Sequence, residues 1–335
     1  MGEAAEDSGG VAELKRRLEG LAIDIDAGGT AALRGQVIAN RDLSGYGLSG
    51  ADLSGSDLSN ANLAGADLTG SKLCGTKLVG TEFLNACLAK ADLAEAVGEN
   101  CGFAHADLRG VTGLGSKLTN CTWLEARFDG AQFGGAVLEG GRFRGANLTS
   151  AEFVHANLSG CDLEGATLDG ANFRLADLHG CRLTEVKGYK SASWIGVNVS
   201  DVDVRGAYLV RRHIMDENYL DEFRRQNRMT ASLYWLWWAT SDCGRSLFRW
   251  TAWVGVLILI YGSLYMLVDI DFGKHETVFS PMYYSIVTIT TLGYGDVVPA
   301  SLPAQVLAVS EALMGYVGLG GLLSIFAQKM ARRAD

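Results

Sequence analysis

Residues 288–296 read Thr-Ile-Thr-Thr-Leu-Gly-Tyr-Gly-Asp. Their chemistry is that of the backbone. Gly293 and Gly295, at alternate positions, can take torsions closed to other residues because glycine has no Cβ. Such torsions turn successive carbonyls to one side, where they can replace the water shell of a bare cation. Thr291 adds a hydroxyl oxygen at the inner end of that row, and Asp296 stands at its outer mouth. Tyr294 is expected to point away from the carbonyls and brace the loop. A lone Gly-Tyr-Gly equally describes a tight turn, so the surroundings decide.

The surroundings are apolar. Trp250 to Val268 is 19 residues without a charge, and Leu302 to Ala327 is 26 residues with one charge, Glu311. Both are long enough to cross a bilayer as helices. Between them, Phe279 to Thr290 suits a helix too short to span, with Ser280 as its N-cap and Pro281 as its first helical position. A re-entrant helix fits, since irregular backbone at membrane depth is tolerated where it lines a water-filled path. The negative pole of its dipole would face a cation. Arg245 and Arg249 precede the first span, and Lys329, Arg332 and Arg333 follow the second. Basic residues favour the cytoplasmic side, so both ends are expected there and the loop 269–280 outside.

The order of helix, short helix, Thr-Leu-Gly-Tyr-Gly-Asp and helix resembles the two-helix potassium channel pore over roughly Ser246 to Gln328. The resemblance implies a pore domain at 246–335, all-α, with spans 246–268 and 302–328, a re-entrant pore helix at 280–291 and a selectivity filter at 291–296. It implies potassium sites on the carbonyls of Thr291, Leu292, Gly293 and Tyr294, with Gly295 and Asp296 completing the filter. Tyr283, Tyr284, Val287 and Thr288 would support it from behind. Val287 stands where some members of the family carry a buried carboxylate, so no carboxylate is expected to play that part here. Gly315 matches the family's inner-helix hinge, although close helix packing explains a membrane glycine equally well. Leu323, Phe326 and Ala327 would form a hydrophobic gate. One chain supplies one filter strand, so a closed ring calls for a homotetramer.

The first two hundred residues follow another rule. Residues 51–70 read ADLSG-SDLSN-ANLAG-ADLTG, a unit of five. Every fifth residue from Leu43 to Leu183, 29 positions, is Leu, Phe or Trp, except Gly98 and Gly113. A small residue mostly stands two places earlier. A period of five belongs to neither strand nor helix. Phe83, Phe103, Trp123 and Phe143 recur at twenty, as do Phe133, Phe153 and Phe173, with Phe128 outside both columns. Four units per coil are therefore expected, like residues stacking on an inner face. The pattern resembles the pentapeptide-repeat family. It implies a right-handed quadrilateral β-helix, here placed at 31–210, with eight or nine coils at ~4.8 Å each. Residues 1–30 would cap it, with a short helix at Val11–Glu19. After Leu183 the register slips by one and is expected to resume at Trp194, Val199, Val204 and Leu209, with Thr184–Ser193 as a bulge or loop.

Residues 211–245 form a linker. Arg224, Arg225 and Arg228 precede Leu233-Tyr234-Trp235-Leu236-Trp237-Trp238. That order suits a helix lying on lipid at the inner leaflet. Packing under the rod or against a neighbouring subunit is the other reading.

Of 38 acidic residues 27 precede position 211, as do 18 of 29 basic ones, so the whole net charge of −9 lies on the rod. Such a rod is repelled by anionic lipid and could attract a basic cytosolic partner. The pentapeptide-repeat resemblance also implies a second reading, an acidic rod that mimics duplex DNA and binds DNA-processing enzymes, with the membrane part as an anchor. The mixture with Lys72, Lys77, Lys117, Arg142 and Arg144 weakens it, and no nucleic acid is expected as partner. Residues 1–10 are acidic and polar, unlike a secretory signal. Reduced thiols are expected in a cytosolic rod. Cys101, Cys121, Cys161 and Cys181 would fill the small inner column. No nucleophile motif, phosphate loop or carboxylate pair points to an enzyme, and no resident cofactor is expected beyond permeant potassium. A helix with arginine at every third position, the usual voltage sensor, is absent from the sequence. A two-span protein of the plasma (inner) membrane is expected, its partners being lipids and its own copies.

Overall fold

The computed structural model describes residues 24–25, 31–203, 207–273 and 277–334, and it divides into two compact units, Met1–Asp221 and Glu222–Asp335.

In the first unit the period of five becomes a coil of twenty. Parallel bridges join residue i to i+20, from Val37 with Asp57 to Thr167 with Lys187. On one face the bridge widens into two short parallel strands, Val97–Glu99 (β3) and Lys117–Thr119 (β4). The main chain of each coil bonds to the next, as in Leu43 N–H to the Asn62 carbonyl at 2.7 Å. The corners need a left-handed residue. Gly50, at φ +68°, is the third residue of a turn closed by Ala51 N–H on the Leu48 carbonyl at 3.0 Å. Glycine takes that torsion without strain, and Asn60 and Asn120 tolerate it at equivalent corners.

The leucine column and the small-residue column fill the interior. Phe83, Phe103 and Trp123 stack at 4.6 and 4.2 Å, and Phe153, Phe173 and Trp194 at 5.4 and 4.8 Å. Phe128 bridges the two stacks edge-on, 5.3 Å from Trp123 and 5.5 Å from Phe133. The buried thiols of Cys101 and Cys181 donate to the carbonyls of Leu78 and Leu158. Gly113 breaks the leucine column because the Phe133 ring of the next coil fills its side-chain space.

The slip is narrower than the sequence suggests. Lys187 still pairs in the twenty register, and Asn172 already pairs with Ser193, so the extra residue lies between them. Trp194 is buried and Val199 packs at the margin of the core. Leu209 does not continue the column: it is exposed on helix α1, Tyr208–Gln226. Val204 and the expected capping helix at Val11–Glu19 lie outside the described residues. Of the expected capping segment, Asp24–Ile25 (β1) pairs antiparallel with Ala31–Ala32 (β2). At the other rim α1 buries Val210 and Ile214. Its Glu217 accepts from Trp194 N–H at 3.2 Å, and Asn218 donates to the Trp194 carbonyl at 3.1 Å. The helix thus satisfies an edge that would otherwise be open. The linker expected at 211 therefore begins as part of the rod.

In the second unit the single linker helix expected from sequence is two. Asn227 ends α1 and caps α2, Arg228–Ser241: it accepts from Thr230 N–H at 2.8 Å, and the Thr230 hydroxyl accepts from Asn227 N–H. Three long or short apolar helices follow: α3 Leu247–Tyr265, α4 Ser280–Ile289 and α5 Leu302–Ala334. Phe279 occupies the N-cap position, and Ser280, expected there, is the first residue of α4. Its hydroxyl still serves the entry, accepting from Thr277 N–H at 2.8 Å. Leu247–Tyr265 and Leu302–Ala327 are long and apolar enough to cross a membrane, and little of either is buried within the chain. A core helix of a water-soluble domain would be covered. Ile270–Asp271 (β5) pairs antiparallel with Val298–Pro299 (β6), which ties the exit of α3 to the chain entering α5.

Restoring leucine at Gly113 should destabilise the rod, although it perfects the repeat. Overpacking of this kind costs about 1–3 kcal/mol. The thermal midpoint of Gly113→Leu should fall and that of Gly113→Leu with Phe133→Leu should recover, measured by circular dichroism on the full chain.

Carboxylates at the coil edges give a pH dependence. The Ser54 and Ser59 hydroxyls, with their amides, hold Asp52 and Asp57 below the usual carboxylate range. The Arg109 guanidinium, 2.6 Å away, does the same for Asp107. Groups lowered in the folded state contribute stability above their unfolded value, about pH 4, and lose it as pH falls through the folded values. The rod's midpoint should hold at about pH 5 and drop below about pH 4.

Candidate ion-coordinating site

Helix α4 delivers the chain to the site. Its last turn does not stop cleanly. Thr291 N–H donates to the Thr288 carbonyl at 3.0 Å, and Leu292 N–H to the Val287 carbonyl at 3.1 Å. Thr291 then turns left-handed at φ +55°, Gly293 follows at +50° and Gly295 at +74°, while Leu292 and Tyr294 keep ordinary torsions. Left-handed torsions thus recur at every second residue, and each one turns a peptide group over. A Cβ added to Gly293 or Gly295 would meet nothing within 4 Å. The demand for glycine is therefore conformational and not steric. Threonine has no such excuse, because a β-branched residue in this region is strained. The sequence singled out Thr291 for its hydroxyl; its torsion was invisible there.

The six residues Thr291–Asp296 are all exposed in the single chain, Tyr294 included. The outer end is held by Tyr283, whose hydroxyl donates to Asp296 at 2.6 Å. Val287 and Tyr284 are buried behind, the latter edge-on to Tyr265 at 4.8 Å. Thr288 contributes its carbonyl, as above. The predicted filter and support residues thus lie together. A cavity of about 250 Å³ opens beside Thr290 and Thr291, walled by Val254 and Ile258 of α3 and Gly315 and Leu319 of α5.

Gly315 touches the site directly. A Cβ there would overlap the carbonyl oxygen of Ile289, the last residue of α4. This contact accounts for the glycine by close packing, and α5 runs through it without interruption. Leu323, Phe326 and Ala327 are exposed further along α5 and do not join the filter residues. Gly318 and Gly321 receive the outer helix: Trp250 Nε1–H donates to the Gly318 carbonyl at 2.8 Å, and its ring fills the side-chain space of Gly321.

One expectation is overturned. A buried carboxylate does stand against α4, supplied by α5 in place of position 287. Glu311 has no exposed surface, accepts from the Tyr265 hydroxyl at 2.6 Å and is hydrogen-bonded by Ser285. The sequence signal was present, a lone acid in an apolar span. What was missing was the crossing of three helices that brings Ser285 and Tyr265 to it.

Comparison with known proteins fits this geometry. A family model described as an ion channel matches residues 253–332, and a model of pentapeptide repeats matches 48–80, 126–165 and 151–187 in eight copies. The chain is 34% identical over 95 residues to the two pore potassium channel b of Oryza sativa subsp. japonica, covering 28% of this chain and 27% of that protein. It is 33% identical over 97 residues to the two-pore potassium channel 1 of Arabidopsis thaliana, covering 28% and 27%. The chain thus spans about a quarter of the length of these relatives. Among solved structures, HetL, a pentapeptide repeat protein involved in heterocyst differentiation regulation from the cyanobacterium Nostoc, aligns at 20% identity over 58% of this chain and 94% of its own, with a TM-score of 0.23. The chain joins pentapeptide repeats, coiled as a β-helix, to an ion-channel domain of a membrane protein.

The Gly315 contact makes a prediction. Gly315→Ala should loosen α5 from α4, at the cost of about 1–3 kcal/mol that overpacking carries. Gly255→Ala, where nothing lies within 4 Å, should not. Thermal melting of both variants in detergent checks this.

Proposed function

We propose that the chain is the subunit of a potassium-selective channel. Four copies close a ring in which the carbonyls of Thr291, Leu292, Gly293 and Tyr294, with the Thr291 hydroxyl, replace the ion's water. The observation that carries this reading is the alternation of left-handed torsions at 291, 293 and 295, at the C-terminal end of a short helix between two apolar spans. Residues 253–332 match the ion-channel model, which supports it. So does the exposure of the whole filter strand in one chain, since a carbonyl ring needs copies of that strand facing one another. Helix α4 is then the re-entrant pore helix, its carbonyl end aimed at the ion. No cofactor is needed, because the permeant potassium is both ligand and cargo.

The coil of twenty is the right-handed quadrilateral β-helix, standing in the cytosol with its negative charge kept from anionic lipid. Helix α2 lies on the inner leaflet. Its Trp235 and Leu236 are exposed, and the basic run from Arg224 to Arg228 suits lipid headgroups. Both chain ends are cytoplasmic, in keeping with Arg245 and Arg249 before the first span. The rod serves as a docking or regulatory module for a cytosolic protein.

Potassium flux into liposomes tests the function. The reconstituted full chain should take up potassium in preference to sodium, blocked by barium, and native mass spectrometry should find four copies. Gly293→Ala would force a left-handed torsion on a residue with a Cβ, at about 1–2 kcal/mol per strand. It should abolish selectivity while leaving the rod's circular dichroism intact. Sodium and potassium uptake at equal rates in the unaltered protein would overturn the proposal.

A further inference from the structure

Glu311 stands at a polar junction where α3, α4 and α5 meet. Its carboxylate is fully buried in a helix otherwise apolar from Leu302 to Ala327. An apolar residue of the same volume would avoid the desolvation that a buried carboxylate suffers. Its partners come from both other helices. Tyr265, at the end of α3, donates to one oxygen, and Ser285, in the middle of α4, bonds the other. Ser285 also lies 3.1 Å from the Ile258 carbonyl of α3.

The contacts repeat one turn further on. Glu311 meets Ser285, and four residues later on both helices Gly315 meets Ile289. Residues four apart share a helix face. The inner helix therefore grips the short helix by two rungs, one polar and one close-packed. The second rung ends two residues before Thr291, where the left-handed alternation begins. A rotation of α5 must break the polar rung or carry α4 with it.

We propose that Glu311 is a positioning residue that makes α5 and α4 move as one body, so that displacement of the inner helix reaches the filter. This rests on the channel reading above. The Glu311 carboxylate sets how often the filter conducts; it does not touch the ion or alter which ion passes.

Single-channel recording of the full chain in planar bilayers tests it, with Glu311→Leu, Glu311→Gln and Ser285→Ala. Glu311→Leu should change open probability by about fivefold or more, the usual size of coupling between sites. Unit conductance and the potassium reversal potential should stay as in the wild type. Glu311→Gln, which can still accept from Tyr265 and bond Ser285, should lie closer to the wild type. Ser285→Ala should change open probability less in the Glu311→Leu background than it does alone, since the contact the two residues share is already gone. A merely structural acid would lower the yield of folded protein and leave the open probability of assembled channels unchanged, and that result overturns the proposal. Additive effects of the two substitutions would also overturn it. Hydrogen exchange at residues 290–295 in nanodiscs gives a second readout that needs no current. Exchange should quicken in Glu311→Leu, and equal exchange would overturn the coupling. If the wild type passes no potassium current, the channel reading falls, and the exchange comparison still decides whether Glu311 couples the helices.

Discussion

The left-handed residue is the constraint on which both units depend. A positive φ turns a peptide group over, and few side chains accept it. In the rod it falls at every fifth residue, at Gly50, Gly55 and Gly65 among others, and each one makes a corner. In the pore unit it falls at every second residue, Thr291, Gly293 and Gly295. Spacing alone changes the outcome. One left-handed residue in five bends the chain into a coil whose main-chain bonds run to the neighbouring coils. One in two leaves a short strand that is exposed along its whole length.

Packing then protects these torsions. In the rod the aromatic stacks from Phe83 to Trp123 and from Phe153 to Trp194 fix the coil-to-coil register. In the pore unit small residues do the equivalent work by absence of side chain. Gly315 admits the Ile289 carbonyl, Gly262 admits Met282, and Gly321 admits the Trp250 ring. Helices in lipid have no hydrophobic drive to associate, so such close approach and a few polar contacts must hold them. The hydrogen bonds of Trp250, Tyr261 and Tyr265 to the inner helix are those contacts.

How much was legible in the sequence follows from the range of each interaction. The leucine and aromatic columns were readable because each repeat faces its own copy twenty residues on, as Phe153 faces Phe173. The run Thr291–Asp296 stood out because two glycines and their flanks are contiguous. Gly113 looked like a defect until the Phe133 ring from the next coil explained it. The break at Asn227 was written locally, an Asn with Thr230 three residues on, and was passed over in favour of one amphipathic helix. Position 287 pointed away from a buried acid, because local reading cannot see α5 fold back on α4. The threonine torsion at 291 had no signal at all, since a β-branched residue is a poor choice for it.

The central question is whether this backbone strand strips and passes potassium. The direct measurement is the reversal potential of the purified full chain in a planar bilayer with potassium on one side and sodium on the other. Carbonyls aligned by alternating torsions predict a reversal close to the potassium equilibrium potential and a current abolished by barium. A reversal near zero, with current still flowing, would contradict the central claim.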